Sequence, residues 1–78
     1  MIRVKLYNLL AERSLSGQEL YELPYEAGLR PADIIRREGF AGEEAEAIVV
    51  LVNEEQATPE TALSDGDRVE LMINMVGG

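Results

Sequence analysis

The chain has 78 residues, with 15 acidic and 7 basic side chains and neither cysteine nor histidine. It therefore has no disulfide framework, no thiolate nucleophile, no Cys-ligated metal centre and no imidazole base. A formal charge of −8 is the wrong sign for the phosphate backbone of a nucleic acid or for an anionic membrane surface.

An apolar fraction of 46% suits a folded protein, and the length allows one small domain. No apolar run approaches the ~20 residues of a membrane span. The start, Met1-Ile2-Arg3-Val4-Lys5-Leu6, lacks the continuous apolar stretch of a signal peptide. Cytoplasm is the default expectation.

Ile2, Val4 and Leu6 alternate with Arg3, Lys5 and Tyr7, which reads as a half-buried strand. Residues 8–17 form a mixed stretch ending in the turn formers Ser14-Leu15-Ser16-Gly17, read as a long connection. A second strand is expected over residues 18–24, with Pro24 at its end or on an edge because it cannot donate to a ladder. A helix follows. Pro31 suits its first position, Asp33 its first turn, Arg36-Arg37 its last, and Gly39 its termination. Leu29 and Ile34 have staple spacing about a cap at Arg30, itself a poor capping residue. Ile34, Ile35 and Phe40 are expected in the core.

The stretch Glu43-Glu44-Ala45-Glu46-Ala47 reads as a helical turn or an acidic loop. Ile48-Val49-Val50-Leu51-Val52 reads as a strand buried on both faces or inside a sheet. A turn at 53–56 and a short strand at Gln56-Ala57 come next. Ser64-Asp65-Gly66-Asp67 is a strong turn signal before a last strand from Arg68 to Asn74. In that strand Val69, Leu71 and Ile73 point inward, while Glu70, Met72 and Asn74 point outward. This order predicts an α+β fold of β-grasp (ubiquitin-like) architecture: a four- or five-stranded mixed sheet with one main helix packed across it. Residues 1–78 are expected to form a single domain, with 75–78 a flexible Gly-Gly tail.

Few residues offer chemistry. Asp65-x-Asp67 supplies too few oxygens for calcium and reads better as a tight turn, with Gly66 at positive φ. The cluster Glu43, Glu44 and Glu46 has no partner base. No glycine-rich phosphate loop is present. Ser14, Ser16 and Ser64 have no histidine to activate them. Lys5, the only lysine, reads as solvated or salt-bridged. No catalytic or metal-ligating set can be assembled, so a stand-alone enzyme is the least supported class.

The end of the chain is different. Two terminal glycines arise by chance in about one chain in 200. A glycine carboxylate is uncrowded, and Gly77-Gly78 makes a strip thin enough for a channel that a Cβ would block. A carboxylate at the end of such a tether can be activated by another protein as an acyl-adenylate.

Val52-Asn53, then Ala62-Leu63-Ser64-Asp65-Gly66-Asp67-Arg68-Val69, then Val76-Gly77-Gly78 resembles the sulfur-carrier family of MoaD/ThiS type. That family includes the small subunit of molybdopterin synthase and the thiamine-pathway sulfur carrier. The resemblance implies a β-grasp fold and a carrier with no active site of its own. Gly78 would be the adenylation and thiocarboxylate site, and Val76 and Gly77 would occupy the partner's channel. The implied partners are a ubiquitin-activating-type adenylating enzyme, which uses ATP, and a larger molybdopterin synthase subunit or a thiazole synthase. No cofactor is implied on this chain. Tyr7 and Met72 match positions where the molybdopterin branch of the family carries exposed aromatics that meet the partner. Gln56 stands where the family often has an apolar residue, and Asn74-Met75 where the molybdopterin branch often has a proline pair. The branch is therefore left open. A non-covalent ubiquitin-like module and a protein modifier are the other readings. The acidic excess suits attraction to basic partner surfaces or simple solubility.

Overall fold

The period-two pattern at the N-terminus decides how the sheet assembles. In the computed structural model, which describes residues 1–7 and 9–73, β1 (Ile2–Leu6) buries Ile2, Val4 and Leu6 and leaves Arg3 and Lys5 outside. It is followed by α1 (Leu9–Arg13), β2 (Leu20–Leu23), α2 (Pro31–Arg37) and α3 (Gly42–Glu46). The chain then forms β3 (Ile48–Val52), β4 (Glu55–Ala57) and β5 (Arg68–Ile73). The five strands form one sheet in the order β2-β1-β5-β3-β4. The central pair, β1 and β5, is parallel, with Val4 beside Val69 and Leu6 beside Leu71. The other pairs are antiparallel. A hairpin, a crossing helix and a return strand pairing in parallel with the first make this a β-grasp fold.

The inner face carries the core. Ile2, Val4, Leu6, Ile48, Val50, Val69 and Leu71 are buried there, together with Ile34 and Ile35 of α2 and Leu10 and Ala11 of α1. Burying one such aliphatic side chain is worth about 1.5–3 kcal/mol. A chain this short depends on nearly all of them. No helix among the described residues is long and apolar enough to cross a membrane.

The expected helix lies where its punctuation places it. Pro31 is its first residue, and Gly39 follows it at φ +87°. Arg30 caps with its backbone. Its N–H donates to Asp33 Oδ2 at 2.9 Å, which is the carboxylate half of a capping box. Leu29 and Ile34 are both buried, as a staple requires.

Three expectations change. Residues 8–17 are not simply a connection, because Leu9–Arg13 form a helix that buries Leu10 and Ala11. The second strand spans four residues rather than 18–24 and ends before Pro24, on an edge of the sheet. The third is the short strand after β3, expected at 56–57; α2 remains the main helix, and 42–46 adopts the helical alternative. The turn at Asn53-Glu54 places β4 over 55–57. β5 is described to Ile73; its expected last residue, Asn74, lies outside the described residues.

Candidate functional site: the outer sheet face and the strand leading to the C-terminus

β5 lies between β1 and β3, so the strand preceding the chain end is held on both edges. Its last described residue, Ile73, pairs with Ile48. Val76, Gly77 and Gly78, the residues expected to carry the reactive terminus, lie outside the described residues.

The motifs that precede β5 form one interlock. Asn53, at φ 52°, donates its N–H to the Arg68 carbonyl at 2.8 Å. Its Oδ1 accepts the Arg68 N–H at 2.9 Å, and its Nδ2 donates to Asp67 Oδ1 at 2.9 Å. Asp67 Oδ2 accepts the Ser64 N–H at 2.8 Å. Gly66 turns the chain at φ +93°, and Asp65 binds the N-terminal ammonium of Met1. Val-Asn and Asp-Gly-Asp thus work as structure: they set where β5 begins and how it registers with β3. Among the described residues no group of three or more Asp or Glu is placed to hold a metal ion.

Among the described residues no helix covers the sheet's outer face. β5 contributes Arg68, Glu70 and Met72, and β1 contributes Arg3 and Lys5, with Tyr7 just beyond. Val49 of β3 lies opposite Met72, Leu51 opposite Glu70, and Leu20 of β2 opposite Lys5. Tyr7 and Met72 do come to neighbouring positions, because the Tyr7 N–H donates to the Leu71 carbonyl at 3.1 Å. Both are half-buried rather than fully exposed. The Tyr7 hydroxyl donates to Glu70, and Lys5 Nζ sits 4.7 Å from the Tyr7 ring centre. Lys5 is thus engaged by a ring face, and it has no ion-pair partner among the described residues. This arrangement fixes the Tyr7 ring as a flat apolar platform.

Leu20, Val49 and Leu51 were not anticipated as members of this patch. Leu20 is 62% exposed, while Val49 and Leu51 are half-buried. In an unbroken apolar run such as 48–52, alternation cannot show which residues face out. Only pairing with β5 does.

A further polar cluster was also missed. The Glu38 carboxylate, 3% exposed, accepts the Ser16 N–H at 2.9 Å, the Ser16 hydroxyl at 2.7 Å and the Tyr21 hydroxyl at 2.5 Å. It ties the α1–β2 connection to the end of α2. Burial, and then the Glu38 carboxylate, hold the Tyr21 hydroxyl well above its ordinary pKa. These donors satisfy the carboxylate, and the contacts bind the loop to α2.

Comparison with known proteins agrees with this architecture. The ThiS family model matches residues 5–78, and the chain belongs to that family. A crystal structure of SAMP1 from Haloferax volcanii superposes with a TM-score of 0.72 and 25% identity, covering 99% of this chain and 98% of that one. The complex of subunits 1 and 2 of molybdopterin-converting factor from Helicobacter pylori gives 0.64 and 17% over 99% and 97%. Urm1 from Trypanosoma brucei gives 0.67 and 21% over 99% and 94%. The search of curated proteins gave no match.

Proposed function

We propose that this member of the ThiS family is a sulfur carrier that acts through its C-terminal carboxylate. The observation that carries this reading is a Gly77-Gly78 terminus five residues beyond β5, a strand locked on both edges and registered by the Asn53–Asp67 interlock. In this reading a partner of ubiquitin-activating type adenylates Gly78. The carboxylate oxygen attacks the α-phosphate of ATP, and pyrophosphate leaves. Sulfide then attacks the acyl carbon, a C–S bond forms as the bond to AMP breaks, and a thiocarboxylate is left with AMP released. The outer sheet face docks the partner, with Tyr7, Met72, Val49 and Leu20 as apolar contacts. The chain is then a co-substrate or subunit, and the chemistry belongs to its partners. The acceptor we favour is a molybdopterin precursor in a larger synthase subunit, because Tyr7 and Met72 meet on that face; a thiazole is the alternative.

Intact-mass measurement after co-expression with an adenylating enzyme of ubiquitin-activating type from the same organism tests this. One oxygen should be exchanged for sulfur, and the exchange should disappear when Gly78 is deleted, with thermal unfolding unchanged. Absence of the exchanged species from the full-length chain would overturn the proposal.

A second reading, protein modification through Gly78, is favoured by the 25% identity to SAMP1, whose structure is also described as a small archaeal modifier protein. It predicts high-molecular-weight conjugates. Any isopeptide-linked chains of this protein would join through Lys5, its only lysine.

A further inference from the structure

We propose that the depression over β1 and β5 on the outer sheet face receives a carboxylate side chain of the activating partner, held by Lys5. This rests on the docking role given to that face above and adds what the partner presents there. The depression, about 380 Å³, is lined by Arg3, Lys5 and Arg68 together with Tyr7, Leu20 and Glu70. Three of the chain's seven basic residues therefore meet at one place. The groove between α2 and α3, walled by Ala32, Ala41 and Ala45, has one base and one acid and no such convergence.

The acids beside these bases are loosely placed or already engaged. Arg3 and Arg68 approach Glu22 and Glu54 only to 3.8 Å, beyond hydrogen-bond distance. Glu70, the register neighbour of Lys5, accepts the Tyr7 hydroxyl instead. Lys5 Nζ rests over the Tyr7 ring, 4.7 Å from its centre. Among the described residues Lys5 is the one cation without a carboxylate partner, in a chain with 15 acids; every other base, and the N-terminal ammonium, has one. Arg3 is also set directly beside Arg68, and like charges opposite one another weaken a sheet. The fold thus holds three positive charges together, one of them unpaired.

The chemistry of the occupant follows. An ammonium on an aromatic face, with two guanidinium groups nearby, is matched by a carboxylate. The outer face and its margin hold Arg3, Lys5 and Arg68 against Glu22, Glu54 and Glu70, and so are neutral as a whole. The rest of the chain is left with twelve acids and four bases, which is the whole of the −8. That charge repels an extensively acidic partner surface. The complement is a single carboxylate among apolar side chains that cover the Tyr7 ring and Leu20, 62% exposed. A pair covered in this way is screened little by salt. It acts on the release of the complex more than on its formation.

The test is calorimetric titration of the full-length chain with an adenylating enzyme of ubiquitin-activating type from the same organism. ATP is omitted, so the chemistry at Gly78 does not enter. Lys5→Met keeps the length of the side chain and removes its charge, and should weaken binding at least about tenfold. Lys5→Arg should stay within about threefold of the unaltered chain. Arg30→Met, at an exposed base before α2, should change nothing. Both positions are exposed, so the thermal midpoint should be retained. Lys5→Glu should abolish binding, and reversing the charge of one surface Asp or Glu of the enzyme should restore it. Lys5→Met at unaltered affinity, or Lys5→Glu rescued by no such reversal, overturns the proposal. Met72→Glu separates it from the docking role of the face. If Met72→Glu weakens binding and Lys5→Met does not, the pairing fails and the docking face stands. If neither variant weakens binding, or the unaltered chain does not bind, both fail.

Discussion

Asn53 shows how a single side chain connects two distant motifs. Its backbone is in the left-handed region, which asparagine tolerates better than most residues, and its amide satisfies Arg68 and Asp67 together. Asn53→Ala should lose about 1–2 kcal/mol in urea unfolding. Asn53→Gly, which keeps the φ but not the bonds, should lose less than Asn53→Ala. Gly39 is constrained in another way. It adopts φ +87°, and a Cβ there would lie 3.0 Å from Leu15 Cγ. Gly39→Ala should therefore destabilise by about 1–2 kcal/mol, lowering the midpoint by roughly 4–8 °C per kcal/mol. Tyr21 gives a pH dependence. Its folded-state pKa is raised above the unfolded value of 10.0, so its contribution is complete below pH 10.0 and is lost as the pH climbs from there through the folded pKa. Stability measured by denaturant titration should fall in strongly alkaline solution, and Tyr21→Phe should flatten that fall.

At the scale of elements, the short helices owe their existence to packing. A five-residue helix such as α1 is far below the length at which propensity sustains a helix in water. Leu10, fully buried, and the Arg13–Glu44 ion pair to α3 at 2.8 Å hold it in place. Leu10→Ala should cost about 2–5 kcal/mol, enough to unfold a large fraction of a domain this small at physiological temperature, as circular dichroism would report. The Glu38 cluster attaches the following loop, so the stretch read as a connection is bound at both ends.

At the scale of the whole molecule, the faces differ in charge. One side of the sheet is a neutral, partly apolar platform beside the strand that leads to the terminus; the net negative charge lies elsewhere. The acidic excess therefore does not serve attraction at the platform itself. Association through that face should depend only weakly on salt. Met72→Glu, a half-buried position on the outer face, should weaken binding of the activating enzyme at least about tenfold while shifting the unfolding midpoint little. Calorimetric titration with the activating enzyme checks both statements.

Local order determined a large part of this protein. Period-two alternation placed β1 and β5, Pro31 and Gly39 bounded α2, and Ser64-Asp65-Gly66-Asp67 marked the turn before the last strand. Each of these signals acts between residues close in the chain. The terminal glycines, too, need no fold to be recognised. The tertiary structure decided what depends on residues far apart. Register with β5 selected Val49 and Leu51 as the outward members of an unbroken apolar run. Packing onto the core turned residues 9–13 into a helix that their own propensity could not sustain. Burial made Glu38 an acceptor for three donors. The opposition of α2 and α3 opened a groove among alanines that, read along the chain, are merely small. Contacts between distant segments carry no periodic signature, so they appear only when the sheet is assembled.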